Sequence, residues 1–153
     1  MTETTPHTIR TGHIGLNVTD LDRSKKFYEQ AFGFQVLRES QEPGRAFAFL
    51  ADGPTLVLTL WQQSRGLFPP AQPGLHHLSF QVDSLAEVQD AEARVRAAGG
   101  RFVHDGIVAH AEGASSGGIY FLDPDGIRLE VFAASGAGER PAPSGEAPTC
   151  GFF

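Results

Sequence analysis

The chain has 153 residues, 41% hydrophobic and 20% charged, enough for one compact core or for two small repeats fused into one. Twelve basic against 18 acidic residues give a formal charge of −6, and no basic run is present to track a phosphate backbone, which sets nucleic acid aside as a partner. The single cysteine, Cys150, excludes an intrachain disulfide; no apolar run approaches the ~20 residues of a membrane span, and the polar start Met1 to Thr8 has no signal-peptide centre, so a soluble cytoplasmic protein is expected.

In chain order, residues 9–18 read as a strand ending at Thr19-Asp20, where Asp20 or Asp22 can cap the next element. A helix is predicted to Phe32: Phe27, Tyr28, Ala31 and Phe32 share a side, Lys25, Lys26 and Glu29 stay wet, and Gly33 supplies the left-handed exit. Strands follow at 34–38, 45–50 and 55–61, with a turn over 39–44 and a hairpin signal at Asp52-Gly53. The proline-bearing stretch 63–74 has no periodicity and reads as a linker.

The order then begins again. Ser84 and Glu87 have capping-box spacing, and Leu85, Val88, Ala91, Val95 and Ala98 trace a helical stripe that stops at Gly99-Gly100. Strand signals return at 101–103, before the turn Asp123-Pro124-Asp125-Gly126, and at 127–133. The organisation expected is a first module over 9–62, a linker over 63–74, a second module over 75–134 and a flexible Gly/Pro-rich tail over 135–153, in which Cys150 is a plain thiol and docking of Phe152-Phe153 beside a cleft is the alternative to disorder.

The repeat carries chemistry as well as shape. Sliding Thr11-Gly12-His13-Ile14-Gly15-Leu16-Asn17-Val18 onto Leu75-His76-His77-Leu78-Ser79-Phe80-Gln81-Val82 superposes His13 on His77 and Ile14, Leu16, Val18 on Leu78, Phe80, Val82. Alternation of period two puts those apolar residues on one sheet face and both imidazoles on the other. The same parity in Ile127-Arg128-Leu129-Glu130-Val131 sends Glu130 away from its apolar neighbours, whereas the corresponding position of the first half is read as Val57. Two histidines and a carboxylate from strands, His13, His77 and Glu130, are the ligand set of an open facial metal site.

With these motifs, and with the Asp20 to Tyr28 helix start and Leu129-Glu130 after Asp123-Pro124-Asp125-Gly126, residues 9–133 resemble the vicinal oxygen chelate superfamily, which includes glyoxalase I, fosfomycin-resistance proteins, extradiol dioxygenases and bleomycin-resistance proteins. The resemblance implies an α+β fold of two βαβββ modules whose curled mixed sheets form a cleft around a divalent metal, with Fe(II) favoured and Mn, Ni or Zn open. Glyoxalase I carries a glutamate where Val57 stands, so its four-ligand site is not expected. The His, His, Glu set resembles the extradiol dioxygenases and fosfomycin enzymes, and Tyr120 and His110 fall where extradiol enzymes carry active-site residues. The expectation is thus a metal-dependent dioxygenase acting on a small oxygen-chelating substrate, alone or as a homodimer. A thiol transferase, lyase or isomerase, and a non-catalytic antibiotic-sequestering protein, are the alternatives. His76 is out of phase, Trp61 and Gln62 read as cleft wall, and His7 and His104 as surface residues.

Overall fold

A computed structural model describes residues 8–153; His7 lies outside them. The elements run β1 (Ile14–Asn17), α1 (Leu21–Phe32), β2 (Gln35–Ser40), β3 (Phe47–Asp52) and β4 (Thr55–Trp61), then β5 (Leu78–Val82), α2 (Leu85–Ala97), β6 (Arg101–Phe102), β7 (Val108–Ala109), β8 (Gly117–Leu122) and β9 (Arg128–Ala133), with a 3-10 turn at Thr149–Gly151. One sheet has the order β1-β4-β3-β2; the other has β5-β9-β8-β6 with β7 added on β8. In each, the first and last strands of the unit pair in parallel and the rest are antiparallel. The fold is α+β, with two open mixed sheets and a helix belonging to each. No helix among the described residues is long and apolar enough to cross a membrane.

Local chemistry explains the boundaries. Asp20 Oδ1 accepts the Arg23 N–H at 3.1 Å, Gln62 Oε1 takes the Leu21 N–H at 2.7 Å, and Gly33 at φ 72° returns its N–H to the Glu29 carbonyl. Gln62 therefore caps a helix and is not cleft wall. The capping box forms at α2, where the Ser84 hydroxyl accepts from the Glu87 N–H and the Glu87 carboxylate from the Ser84 N–H. At Gly100 a Cβ would overlap the Val95 side chain, so the helix exit needs a residue without one.

Several boundaries move from those expected. The first strand begins only at Ile14, β2 continues into the expected turn as far as Ser40, and β6 keeps two residues. The two-residue β7 has no period to announce it.

The core lies between the sheets. Tyr28, Ala31 and Phe27 of α1 and Val88, Ala91 and Val95 of α2 are buried, and the two helices pack on each other. Phe27 reaches Phe121 of β8 at 6.4 Å, Phe32 reaches Phe80 of β5 at 4.8 Å, and Arg94 Nε donates to the Ala31 carbonyl at 3.1 Å. Each fully buried large side chain contributes about 1.5–3 kcal/mol. With the helices packed on them in one shared core, the sheets leave their other faces outside it.

Parity then assigns the faces. Leu16 and Val18 go inward while His13, Gly15 and Asn17 are exposed; Leu129, Val131 and Ala133 go inward and leave Arg128, Glu130 and Phe132 outside. Register corrects one reading. Glu130 stands across from Ser79, and the residue across from Gly15, the repeat equivalent of Ser79, is Thr59. Val57 falls at a bulge two residues earlier. Neither is a carboxylate, and the Thr59 hydroxyl is taken up by the Trp61 indole N–H at 2.9 Å.

Residues 134–153 return across the outer face of the second sheet. Ala137 N–H binds the Ser115 carbonyl, Ala109 N–H the Pro141 carbonyl, and Glu112 N–H the Gly145 carbonyl, at 2.7–2.8 Å. Ala137 and Thr149 are buried.

Candidate active site

Glu130 is the centre of the outer face of the second sheet. It is 3% exposed, and its oxygens are met from three elements: Ser79 Oγ of β5 donates to Oε1 at 2.7 Å, His110 Nε2, just past β7, lies 2.6 Å from Oε2, and His77 Nε2 stands 3.8 Å from Oε1. Tyr120 of β8 is its cross-strand partner. Burial works to raise the Glu130 carboxyl, but hydrogen bonds led by His110 outweigh it and hold the group below the usual glutamate range, so it is ionised at neutral pH.

Burial pushes His77 down despite the nearby carboxylate, which leaves it neutral at pH 7 and so not ion-paired, the form in which histidine donates to a metal. Its Nδ1 meets Nδ1 of His76 at 2.8 Å. His110 has Glu130 on Nε2 and the Ser116 hydroxyl at 2.8 Å on Nδ1. Because an ionised carboxylate only accepts, Nε2 carries the proton on the Glu130 side.

Tyr120 is fully buried, and its hydroxyl has no hydrogen-bond partner among the described residues. Burial first, then the Glu130 carboxylate that the hydroxyl faces, push the phenol far above its ordinary range, so it stays protonated although the two groups do not close a well-aligned hydrogen bond. His104 does not lie on the surface as expected. Its ring stands edge-on to Tyr120 at 5.6 Å, and its Nε2 is buried without a partner among the described residues. Cys150 is half-buried, and burial together with the Glu130 charge push its thiol up.

The structure thus brings together His77, Glu130, His110 and Tyr120 and leaves His13 apart. His13 is exposed beside β1 on the other module, and among the described residues no group of three or more His, Cys, Asp or Glu is arranged to hold a metal ion. His77 and Glu130 nevertheless fit a divalent ion as half of a site: a neutral nitrogen and an ionised oxygen from adjacent strands, with a buried protonated phenol beside them. Ser79 went unread in the sequence, although its parity with His77 would have found it. His104 and Ser116 carry no such signal.

Comparison with known proteins decides the lineage. Residues 10–131 match the model of the Glyoxalase/Bleomycin resistance protein/Dioxygenase superfamily. The chain belongs to this superfamily. Similar proteins within it include a catechol-2,3-dioxygenase of Bacillus subtilis (strain 168), 30% identical over 124 residues that cover 80% of this chain and 40% of that protein. The chain therefore spans less than half the length of that relative. A lactoylglutathione lyase of Salmonella typhimurium is 30% identical over 131 residues, covering 82% of this chain and 93% of that one. The crystal structure of a superfamily domain from Frankia sp. EAN1pec aligns with a TM-score of 0.71 at 27% identity, over 84% of this chain and 99% of that chain.

Proposed function

We propose that the protein is a divalent-metal-dependent enzyme whose centre forms between two copies of the chain, His77 and Glu130 of one copy meeting His13 of the other. The observation that carries this reading is the division of the three residues: His77 and Glu130 converge, whereas His13 is exposed beside the other sheet and joins no ligand group among the described residues. A two-fold pairing of the two outer faces supplies the missing nitrogen twice. The ion, Fe(II) by preference, would serve there as a Lewis acid holding substrate oxygens, with coordination positions left open by three protein ligands.

The residues around it have definite tasks. Ser79 orients Glu130 through Oε1. His110 holds a proton at Nε2, backed by Ser116, and can pass it to a substrate oxygen once that oxygen takes the place of the carboxylate at 2.6 Å. Tyr120 offers a hydroxyl that stays protonated and stabilises negative charge developing on the substrate. Two proton-bearing groups around an open centre suit a dioxygenase acting on a small oxygen-chelating molecule. The lyase or transferase reading has its own support: the lactoylglutathione lyase is matched over 93% of its length.

Two experiments test the proposal. His13→Ala and Glu130→Ala, each expected to lose metal, are mixed and refolded together; a shared centre regains one intact site in each mixed dimer, whereas ligands contributed by a single chain regain none. Oxygen uptake by Fe(II)-loaded protein over a panel of catechols then separates the chemistries. Turnover with Ni or Zn and no oxygen uptake would put the lyase or transferase reading in front.

A further inference from the structure

The segment after β9 does more than cover a sheet. Thr149 is anchored twice beside the Glu130 cluster: its N–H binds the His110 carbonyl at 2.7 Å and its hydroxyl the Ala109 carbonyl at 2.7 Å, and the residue is fully buried. Four residues on, the Phe153 ring lies 5.5 Å from the His77 ring and 5.3 Å from that of Tyr120, with His76 at 6.3 Å and the Arg128 guanidinium 5.5 Å from the ring centre. Between anchor and ring stands Gly151, exposed and with open space around its Cα. The Phe152 side chain is exposed, so beyond the 3-10 turn bonds of Gly151 and Phe152 to the Pro148 and Thr149 carbonyls the tip is held by the Phe153 ring.

Resting on the reading of the Glu130 face as the site, we propose that residues 149–153 are a built-in plug: Thr149 is the anchor, Gly151 the hinge, and Phe153 an occupant that must leave before a ligand reaches His77 and Tyr120. The closed arrangement is not the best one for the groups beneath it. An apolar ring cannot give the buried Tyr120 hydroxyl a hydrogen bond, and among the described residues that hydroxyl has only the poorly aligned Glu130 carboxylate to face. A ligand bearing an oxygen can offer it a better-aligned partner, so the exchange of Phe153 for ligand improves the hydrogen bonding beneath the ring. The aromatic contacts that hold the tip are individually weak, which keeps the exchange reversible.

Carbethoxylation of His77 by diethylpyrocarbonate, followed by mass spectrometry on metal-free protein, reads the plug without reference to any activity. Its rate is calibrated against N-acetylhistidine. Phe153→Ala should raise the His77 rate about three- to tenfold, the factor expected from loss of one aromatic contact, with circular dichroism unchanged and the melting temperature lowered only slightly. Thr149→Val, which removes the hydroxyl anchor, should raise it as well. An unchanged His77 rate in folded Phe153→Ala overturns the plug, whatever the metal experiments show. A raised rate in a protein whose Glu130→Ala variant keeps its metal would uphold the plug and remove the metal centre from beneath it.

Discussion

Replacing Tyr28 by phenylalanine removes one oxygen from the joint between the modules, and the structure sets the expected loss. The Tyr28 hydroxyl, on a fully buried side chain of α1, donates to Asp123 Oδ2 at 2.8 Å; Asp123 Oδ1 meanwhile accepts the N–H groups of Asp125 and Ile127 at 2.8 and 2.9 Å and so closes the turn between β8 and β9. That turn fixes the register in which Tyr120 stands across from Glu130. A hydrogen bond to a buried charged group is worth about 1.5–3 kcal/mol, which for a chain of this size lowers Tm by about 3–12 °C. Burial raises the folded pKa of Asp123 above its ordinary 3.8, against the lowering effect of Tyr28 and the two backbone donors. A carboxyl raised on folding gives stability that is full below its unfolded pKa and is lost as pH rises through the folded one. Deleting the Tyr28 donor raises that folded value further, so the variant should lose most near neutral pH. Below the ordinary aspartate range, where the carboxyl is neutral in both proteins, the difference should shrink to about 0.5–1.5 kcal/mol, the worth of a neutral hydrogen bond. Urea melts of both proteins between pH 3.5 and 7.5 measure it. A loss under about 0.5 kcal/mol at pH 7, or one that grows on acidification, would refute the reasoning.

His110→Ala and Tyr120→Phe should keep the metal and lower turnover by about 10²-fold each, as expected for groups that handle protons; metal analysis beside steady-state rates checks both halves of the statement. Gly118→Ala should cost about 1–3 kcal/mol or more in thermal unfolding, because the added Cβ meets the Val131 carbonyl oxygen of the neighbouring strand and backbone cannot give way as a side chain does. Ser84→Ala removes the α2 cap and should cost about 0.5–2 kcal/mol, with Ser84→Gly costing less.

Much of this protein is written locally. Period-two alternation set Glu130 and His77 on the solvent side of their strands, capping chemistry placed both helix starts, and the offset between His13 and His77 exposed the duplication; each depends on residues within a turn or two, where side-chain direction follows from backbone geometry. What lies between elements was decided by packing. Nothing in the spacing says that α1 and α2 pack on each other in one core with both sheets, and that leaves His13 beside one sheet and Glu130 on the other. The hydrogen bond from His110 to Glu130 depends on a two-residue strand too short to have a period, and the burial of His104 Nε2 on contact with a ring from another strand. The path of residues 135–153 is the clearest case. Their glycine and proline content marks them as coil, yet their backbone groups find partners on β7 and the loops around it, and Phe153 arrives over His77. A coil's local sequence leaves its direction free, so only the surface that receives it determines where it goes.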